Sequence, residues 1–297
     1  MRTFGPLPLL IALGLPPVLE SQQSAGSELW RLAAVTMPMP PSLTTGAAAA
    51  FWTPVQEGDH GQIGLDLLQT PEAVGATGLI GAVRVPFRHL GTFGVVYARM
   101  GLGDLVRTTD SPDPEGASIP FYTQSGGFTW SDAYGSTGVG ATLTYHDTRF
   151  DGTRAERWSI DVGATQQIGD RARVAIATRG LSRIGSDPAQ DVNLGAEYRV
   201  WRGILWGTTT GRVLARYGVT FGHPGGVDHE FGAGLDIGTP VSLDVVLTRE
   251  ATYGNSAWRG AAGLRVRVGR YRVSFARDGG ISDLGSTFRV GLEANLR

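Results

Sequence analysis

The C-terminal stretch TFRVGLEANLR, residues Thr287–Arg297, alternates between two kinds of side chain. The apolar ones occupy every second position: Phe288, Val290, Leu292, Ala294 and Leu296. The residues between them are charged, polar or small: Arg289, Gly291, Glu293 and Asn295. Successive side chains of a β-strand point to opposite faces, so this stretch is predicted to be a strand with one apolar face. Such a face packs on a second sheet in a soluble sandwich, or contacts lipid in a membrane-spanning barrel with a wet lumen.

The same alternation recurs along the chain from Gly61 onward, and it predicts about fourteen strands. Clear examples are Val139–Tyr145, Val192–Val200, Phe231–Ile237 and Trp258–Val268. Turn signals separate the segments at Ile168–Asp170, Trp201–Gly203, Gly238–Pro240 and Gly269, and longer polar links are predicted at 108–117, 147–156 and 223–228. Ile204–Gly222 is either one bent strand or two short ones, because Gly207 and Gly211 interrupt it.

Strand length and aromatic placement favour the membrane barrel over the sandwich. Many segments run to about ten residues, which a tilted strand needs to cross a bilayer, whereas soluble strands average five or six. Aromatic residues near segment ends would form a girdle at the membrane interfaces: Trp130, Tyr134, Tyr145, Trp158, Tyr198, Trp201, Trp206 and Tyr271. The predicted fold is therefore all-β, a single transmembrane antiparallel β-barrel over residues 61–297.

Composition excludes several classes of function, and the N-terminus predicts export. The 297 residues carry a net charge of −1, which excludes nucleic-acid binding by bulk charge, and the absence of Cys excludes disulfides and thiolate metal sites. Forty-four Gly residues suit strands and tight turns better than helices. Arg2, the apolar stretch Phe4–Leu19 and small residues near Ala25 predict a cleaved signal peptide over residues 1–25.

Residues 26–60 differ from the rest of the chain, because they are rich in Ala and Pro. Leu29–Met37 is predicted as a possible first strand, and Gly46–Trp52 as a helical turn that ends before Pro54. This apolar segment either enters the barrel mouth as a plug, with Phe51, Trp52 and Pro54 as candidate plug residues, or packs on a protein partner.

Three stretches carry a resemblance to a known family: GAAAAFWTPV (Gly46–Val55), NLGAEYRV (Asn193–Val200) and DLGSTFRVGLEANL (Asp283–Leu296). They resemble the FadL superfamily of outer-membrane barrels, and within it the PorV/PorQ-like group. The chain departs from the family pattern with Thr53 in place of Asn, Val55 in place of Ala, and Arg297 in place of a terminal aromatic residue.

The resemblance implies two functions in the outer membrane of a Gram-negative-type bacterium. One is a passive channel or hydrophobic-solute transporter of FadL-like type, with the N-terminal segment as its plug. The other is a non-transporting anchor of PorV type that holds secreted or surface proteins. The expected surroundings are outer-membrane lipid and lipopolysaccharide, without nucleic acid.

The sequence offers no catalytic constellation. His146–Asp147 and Asp228–Glu230 place His beside acids, but neighbours in a strand point to opposite faces. No Gly-x-Ser-x-Gly elbow and no metal-ligand spacing is present, so neither enzyme activity, a cofactor nor a metal is expected. Nine charged residues share the polar phase and are predicted to face the lumen, where they either pair to fill it or line a polar path: Glu197, Arg199, Asp236, Asp244, Arg259, Arg265, Arg267, Arg289 and Glu293.

Overall fold

The computed structural model describes residues 25–55, 60–72, 74–103, 105, 119–181, 184–185, 191–223, 226–238, 240–252, 255–279 and 285–296. The predicted signal peptide, residues 1–25, lies outside the described residues except for Ala25. The predicted polar link at 108–117 also lies outside them.

The chain forms a closed antiparallel β-barrel of fourteen strands over its described residues, which confirms the predicted fold. The strands are β1 (Gln62–Gln69), β2 (Ala76–Phe87), β3 (Gly91–Leu102), β4 (Phe121–Tyr134), β5 (Thr137–Phe150), β6 (Thr153–Ile168), β7 (Ala172–Arg179), β8 (Ile184–Gly185), β9 (Asp191–Trp206), β10 (Thr209–His223), β11 (Gly226–Ile237), β12 (Val241–Thr252), β13 (Asn255–Val268), β14 (Tyr271–Asp278) and β15 (Phe288–Asn295). β7 and the two-residue β8 pair with successive parts of β6, so they make one barrel strand.

The last strand closes the barrel. β15 pairs with β14 on one side and with β1 on the other, from Gln62 opposite Asn295 to Gln69 opposite Phe288. The neighbour of the C-terminal strand is therefore Gln62–Gln69, one of the two strands that the alternation offered. Closure gives each backbone amide and carbonyl of these strands a neighbour to bond, which lipid would not supply.

The two faces of β15 lie as the alternation predicts. Phe288, Val290 and Leu292 are 39–52% exposed on the outside, whereas Arg289 is only 8% exposed and faces the interior. Ile63, Leu65 and Leu67 of neighbouring β1 are likewise exposed. A continuous apolar outer face of this kind suits lipid, because soluble monomers rarely expose large apolar patches.

The first predicted strand is wrong. Residues Leu29–Met37 belong mostly to helix α1 (Ala25–Ala34), which is followed by 3₁₀ turns at Pro41–Leu43 and Ala48–Phe51. Leu29, Ala33 and Met37 recur at helical spacing and are buried, and the closure of β1 on β15 leaves no strand edge for the segment to join. No helix in the described part of the chain is long and apolar enough to cross a membrane.

One predicted turn is part of a strand. Trp201–Gly203 lies inside β9, where a register shift opposite Val213 and Leu214 bulges the strand, and the true turn follows at Gly207 with φ +57°. Ile204–Gly222 is thus the end of one strand, a turn and most of the next.

The region 147–156 forms a tight hairpin rather than a long polar link. β5 and β6 meet at a turn where Asp151 has φ +51°. Its polar residues misled the prediction, because Arg154 of β6 pairs with Asp147 of β5 across the hairpin, 2.9 Å from Nε to Oδ1.

The two ends of the barrel differ in their links. All six links between the described strands at one end are short turns, which join β2 to β3, β4 to β5, β6 to β7, β9 to β10, β11 to β12 and β13 to β14, and this end also holds Gln62 and Asn295. The other end has the longer separations, such as those between β3 and β4 and between β14 and β15, as well as the tight hairpin of β5 and β6. We call this the turn end and the other the opposite end. In outer-membrane barrels the short turns lie on the periplasmic side.

The outer face can be tested at Leu264, which lies between the exposed side chains Leu243 and Phe275 of neighbouring strands. We expect Leu264→Arg to weaken folding into lipid bilayers by about 2–4 kcal/mol, because it places a charge in hydrocarbon. Folding yield and unfolding in urea report the change.

Arg265→Leu on the inner face is the control. It should be milder, since Asp244 keeps its second guanidinium, that of Arg216. Equal damage from the two substitutions would contradict a lipid-facing surface.

Candidate functional site: the barrel interior

Residues 29–55, which we call the inner segment, lie inside the barrel. Leu29, Phe51 and Trp52 are at most 6% exposed and belong to an apolar cluster with inward side chains of the wall, such as Ile80 and Met100. Near Pro41–Leu43 the segment contacts β7 and β9 on the other side. The segment therefore crosses the interior rather than lining one strand.

The wall provides space for the inner segment through glycines on six strands. A Cβ atom at Gly140 would lie 2.5 Å from the Pro54 carbonyl oxygen, and one at Gly263 would lie 2.6 Å from Pro38 Cγ. Distances this short do not occur for real Cβ atoms, so the backbones meet because the side chain is missing. The glycines in contact with the segment are Gly64, Gly138, Gly140, Gly163, Gly195, Gly218 and Gly263.

Aromatic and cationic groups pack the segment at its second 3₁₀ turn. The rings of Trp30 and Phe51 lie 4.6 Å apart, and those of Phe51 and Trp52 lie 5.0 Å apart. The guanidinium of Arg179 on β7 sits 4.7 Å above Phe51 and 4.8 Å above Trp52, within cation–π range. Pro54, the third candidate plug residue, lies against Gly140 and Gly163.

Polar contacts tie the segment backbone to the wall. The Ala47 N–H donates to Glu293 Oε2 at 3.2 Å, and Arg173 Nη2 donates to the Leu43 carbonyl at 3.0 Å. Arg289 Nη2 donates to the Ala33 carbonyl at 3.4 Å. Glu293 and Arg289 belong to the nine charged residues predicted to face the lumen.

All nine of those residues lie on the inner face. Three of them, Glu197, Asp244 and Arg265, form a continuous chain of ion pairs together with Arg173 and Arg216. Arg173 approaches Glu197 at 3.7 Å, and Glu197 accepts from Arg216 at 2.6 Å. Arg216 also donates a hydrogen bond to Asp244 at 2.5 Å, and Asp244 accepts another from Arg265 at 2.7 Å.

Gly234 makes the central link of this chain possible. Arg216 stands on β10 and Asp244 on β12, so the guanidinium has to reach across β11. A Cβ atom at Gly234 would lie 2.8 Å from Arg216 Nη1 and 2.9 Å from Asp244 Oδ1.

Five more of the predicted residues pair elsewhere on the wall. Arg199 contacts Asp170 at 2.7 Å, Arg259 contacts Glu250 at 3.0 Å and Glu293 contacts Arg272 at 3.2 Å. Arg289 lies 3.8 Å from Asp66, and Asp236 pairs with Arg212. The ninth, Arg267, has no carboxylate neighbour among the described residues.

The sequence analysis did not identify several members of these ion pairs: Asp66, Arg173, Arg212, Arg216 and Arg272. The signal was present, because Arg212, Leu214, Arg216 and Gly218 share one phase of β10. The alternation could not be assigned there, because Ile204–Gly222 was predicted as either one bent strand or two short ones. The face on which each of these residues lies was therefore not predicted.

Two cavities adjoin the inner segment. One of about 630 Å³ lies toward the turn end between Met39, Leu43 and the walls of β6–β14. A smaller one of about 100 Å³ lies between the segment and the walls of β1 and β13–β15, with Met37, Met39 and Trp52 beside the polar groups Asp66 and Glu293.

A buried Ser–His cluster is present but lacks the arrangement of a hydrolase. His146 Nδ1 and Nε2 each bond a serine hydroxyl at 2.8 Å, from Ser125 and Ser159. A catalytic triad needs an acid on the second ring nitrogen, and here that nitrogen meets another serine. All three residues are at most 8% exposed. No cluster of three or more His, Asp or Glu residues able to hold a metal occurs in the part of the chain described.

Comparison with known proteins shows a shared fold at low sequence identity. No protein-family model and no curated protein sequence matches the chain. The toluene transporter TbuX of Ralstonia pickettii is 11% identical and aligns over 89% of this chain and 98% of its own, with a TM-score of 0.53. The P. putida toluene transporter TodX is 10% identical over 86% and 94% of the two chains, with a TM-score of 0.50.

These likenesses establish the barrel fold alone. TbuX and TodX are FadL-family transporters, so the resemblance to the FadL superfamily holds at the level of the fold. The narrower PorV/PorQ-like group has no matching family model.

The fit between wall and segment can be tested at Gly140. We expect Gly140→Ala to destabilise the folded barrel by about 1–3 kcal/mol, because the new methyl group overlaps the Pro54 carbonyl. The control is Gly126→Ala on neighbouring β4, where a Cβ atom meets nothing within 4 Å. That control should be neutral or stabilising by about 0.5–1 kcal/mol. Thermal unfolding in detergent measures both, and identical melting temperatures would rule out the close contact.

The interior ion-pair chain can be tested at Asp244, whose side chain is 1% exposed between two guanidiniums. We expect Asp244→Asn to cost about 3–5 kcal/mol in stability, because it leaves buried positive charge uncompensated. Asp170→Asn is the matched control, since Asp170 pairs with Arg199 at 80% side-chain exposure and should contribute about 0–1 kcal/mol. Chemical denaturation compares the two, and a loss at Asp244 no larger than that at Asp170 would contradict a buried network.

Proposed function

We propose that this protein is an outer-membrane channel of FadL-like type whose inner segment acts as its plug. The observation that carries the proposal is the fit of residues 29–55 against inward glycines on six strands. A segment held at so many points occupies the space through which a solute would pass. Movement of the segment is then the step that admits a solute.

The membrane location rests on the surface of the barrel. Its outer face carries large apolar side chains, and its strands of up to sixteen residues are long enough to cross a bilayer when tilted. The predicted signal peptide agrees with export. Outer-membrane lipid and lipopolysaccharide are accordingly the proposed surroundings of the outer face.

A small hydrophobic molecule is the proposed solute class. The cavity of about 100 Å³ lies directly against the inner segment, which borders it with Met37, Met39 and Trp52, and polar groups such as Asp66 and Glu293 lie on its wall side. An apolar cavity of about 150 Å³ holds a benzene-sized molecule, so a modest shift of the segment would make room for one. TbuX and TodX, which share the fold, are toluene transporters.

A non-transporting anchor of PorV type is the second candidate, and the dense packing of the segment favours it. Ala33, Ala47 and Met100 are fully buried, which is the burial of a permanent core. In that case the filled barrel is a rigid support, and its loops at the opposite end hold secreted or surface proteins.

A reversible tether separates the two candidates. The natural chain has no Cys, so Ala47→Cys with Gly64→Cys supplies its only thiols. A Cβ atom at Gly64 would lie 2.9 Å from Ala47 Cβ, and a local adjustment of roughly 1 Å gives disulfide geometry. In planar bilayers we expect low conductance when the pair is oxidised and a rise when it is reduced.

Gly64→Cys alone is the control, and its conductance should not respond to the redox state. Equal conductance of the oxidised and reduced double variant, with the disulfide verified by mass spectrometry, would argue against a moving plug and favour the anchor.

A further inference from the structure

The cavity at the turn end has an excess of positive charge. Nine guanidiniums line it: Arg171, Arg173, Arg199, Arg202, Arg212, Arg216, Arg265, Arg267 and Arg272. Only three carboxylates line it with them, Asp170, Glu197 and Asp236. Asp244 and Glu293 pair with lining arginines from just outside. When both are included, four guanidiniums still exceed the carboxylates.

The excess is concentrated on Arg202 and Arg267. Six of the seven other lining arginines contact carboxylates in ion pairs of the wall, and the seventh, Arg171, hydrogen-bonds to Tyr198. Neither Arg202 nor Arg267 has such a contact among the described residues, and both side chains are exposed within the cavity. Their donors are therefore available to a ligand.

The register places these two arginines where they repel a neighbour. Arg202 stands directly opposite Arg212 on β10, and Arg267 stands directly opposite Arg272 on β14. Like charges directly opposite each other destabilise a sheet. Arg212 and Arg272 have the carboxylate partners Asp236 and Glu293, so the uncompensated charge of each pair is that of Arg202 or Arg267.

We propose that this cavity binds a multivalent oxyanion, a phosphate or carboxylate compound, from the solution at the turn end. The planar fork of a guanidinium matches both groups with two parallel hydrogen bonds. A volume of about 630 Å³ accommodates a ligand with several anionic groups. The cavity shares Met39, Arg265 and Arg272 with the smaller one at Trp52, but its test measures binding from solution and so does not depend on transport.

Calorimetric titration of the refolded full chain in detergent tests the site, with tripolyphosphate and citrate as probes at constant ionic strength. We expect wild-type protein to bind at least one of them. Arg202→Gln and Arg267→Gln should each weaken binding about ten-fold or more, because each removes a charge-assisted hydrogen bond. Loss of tripolyphosphate binding alone identifies a phosphate ligand, and loss of citrate binding alone identifies a carboxylate ligand.

Arg149→Gln is the matched control, because Arg149 is an exposed arginine opposite another arginine, Arg154, at the opposite end. It should leave binding unchanged. Without ligand, Arg267→Gln should not lower the melting temperature, since it relieves repulsion. Failure of both probes to bind, equal affinity in all variants, or a marked loss of ligand-free stability in Arg267→Gln would overturn the proposal.

Discussion

The hydrogen-bond ladder between β1 and β15 is the constraint on which the rest of the structure depends. An open edge would expose unpaired backbone groups to lipid, where nothing else can satisfy them. Closure fixes the phase of every strand, with apolar side chains outward and charged or small side chains inward. It also leaves the N-terminal segment no strand edge to join, so residues 29–55 pack as helix and 3₁₀ turns against the inner wall.

The interior contains both an apolar segment and a wall that carries many charged residues. The inner surface of the wall has an apolar part and a charged part. Inward Ile80 and Met100 meet the segment's apolar residues, whereas Glu197, Arg216 and Asp244 satisfy one another across three strands. Glycines make room in both parts, since Gly140 allows the segment to approach β5 and Gly234 allows the Arg216 guanidinium to cross β11. The unbalanced charge is left at the turn end, where solvent and a ligand can reach it.

Local periodicity predicted the features that depend on residues close together in the chain. The barrel, the phase of its strands and the inward position of residues such as Asp244 and Glu293 follow from alternation alone. Helix α1 (Ala25–Ala34) did not, because its conformation depends on barrel closure, a contact between residues far apart in the chain. The turn at Gly207 was obscured by a bulge near Trp201, and bulges leave little trace in a single sequence. Similarly, the pairing of Arg216 with Asp244 depends on registers that alternation cannot give.

The central claim is that the apolar face meets lipid while the N-terminal segment lies inside the barrel. Fluorescence quenching by brominated lipids measures this directly, with variants that keep one Trp each and have Phe at the other positions. Trp258 is 64% exposed on the outer face, and Trp52 is 3% exposed beside Arg179. The account predicts strong quenching of Trp258 and almost none of Trp52 in the same bilayers. Equal quenching of both residues, or quenching of Trp52 alone, would contradict it.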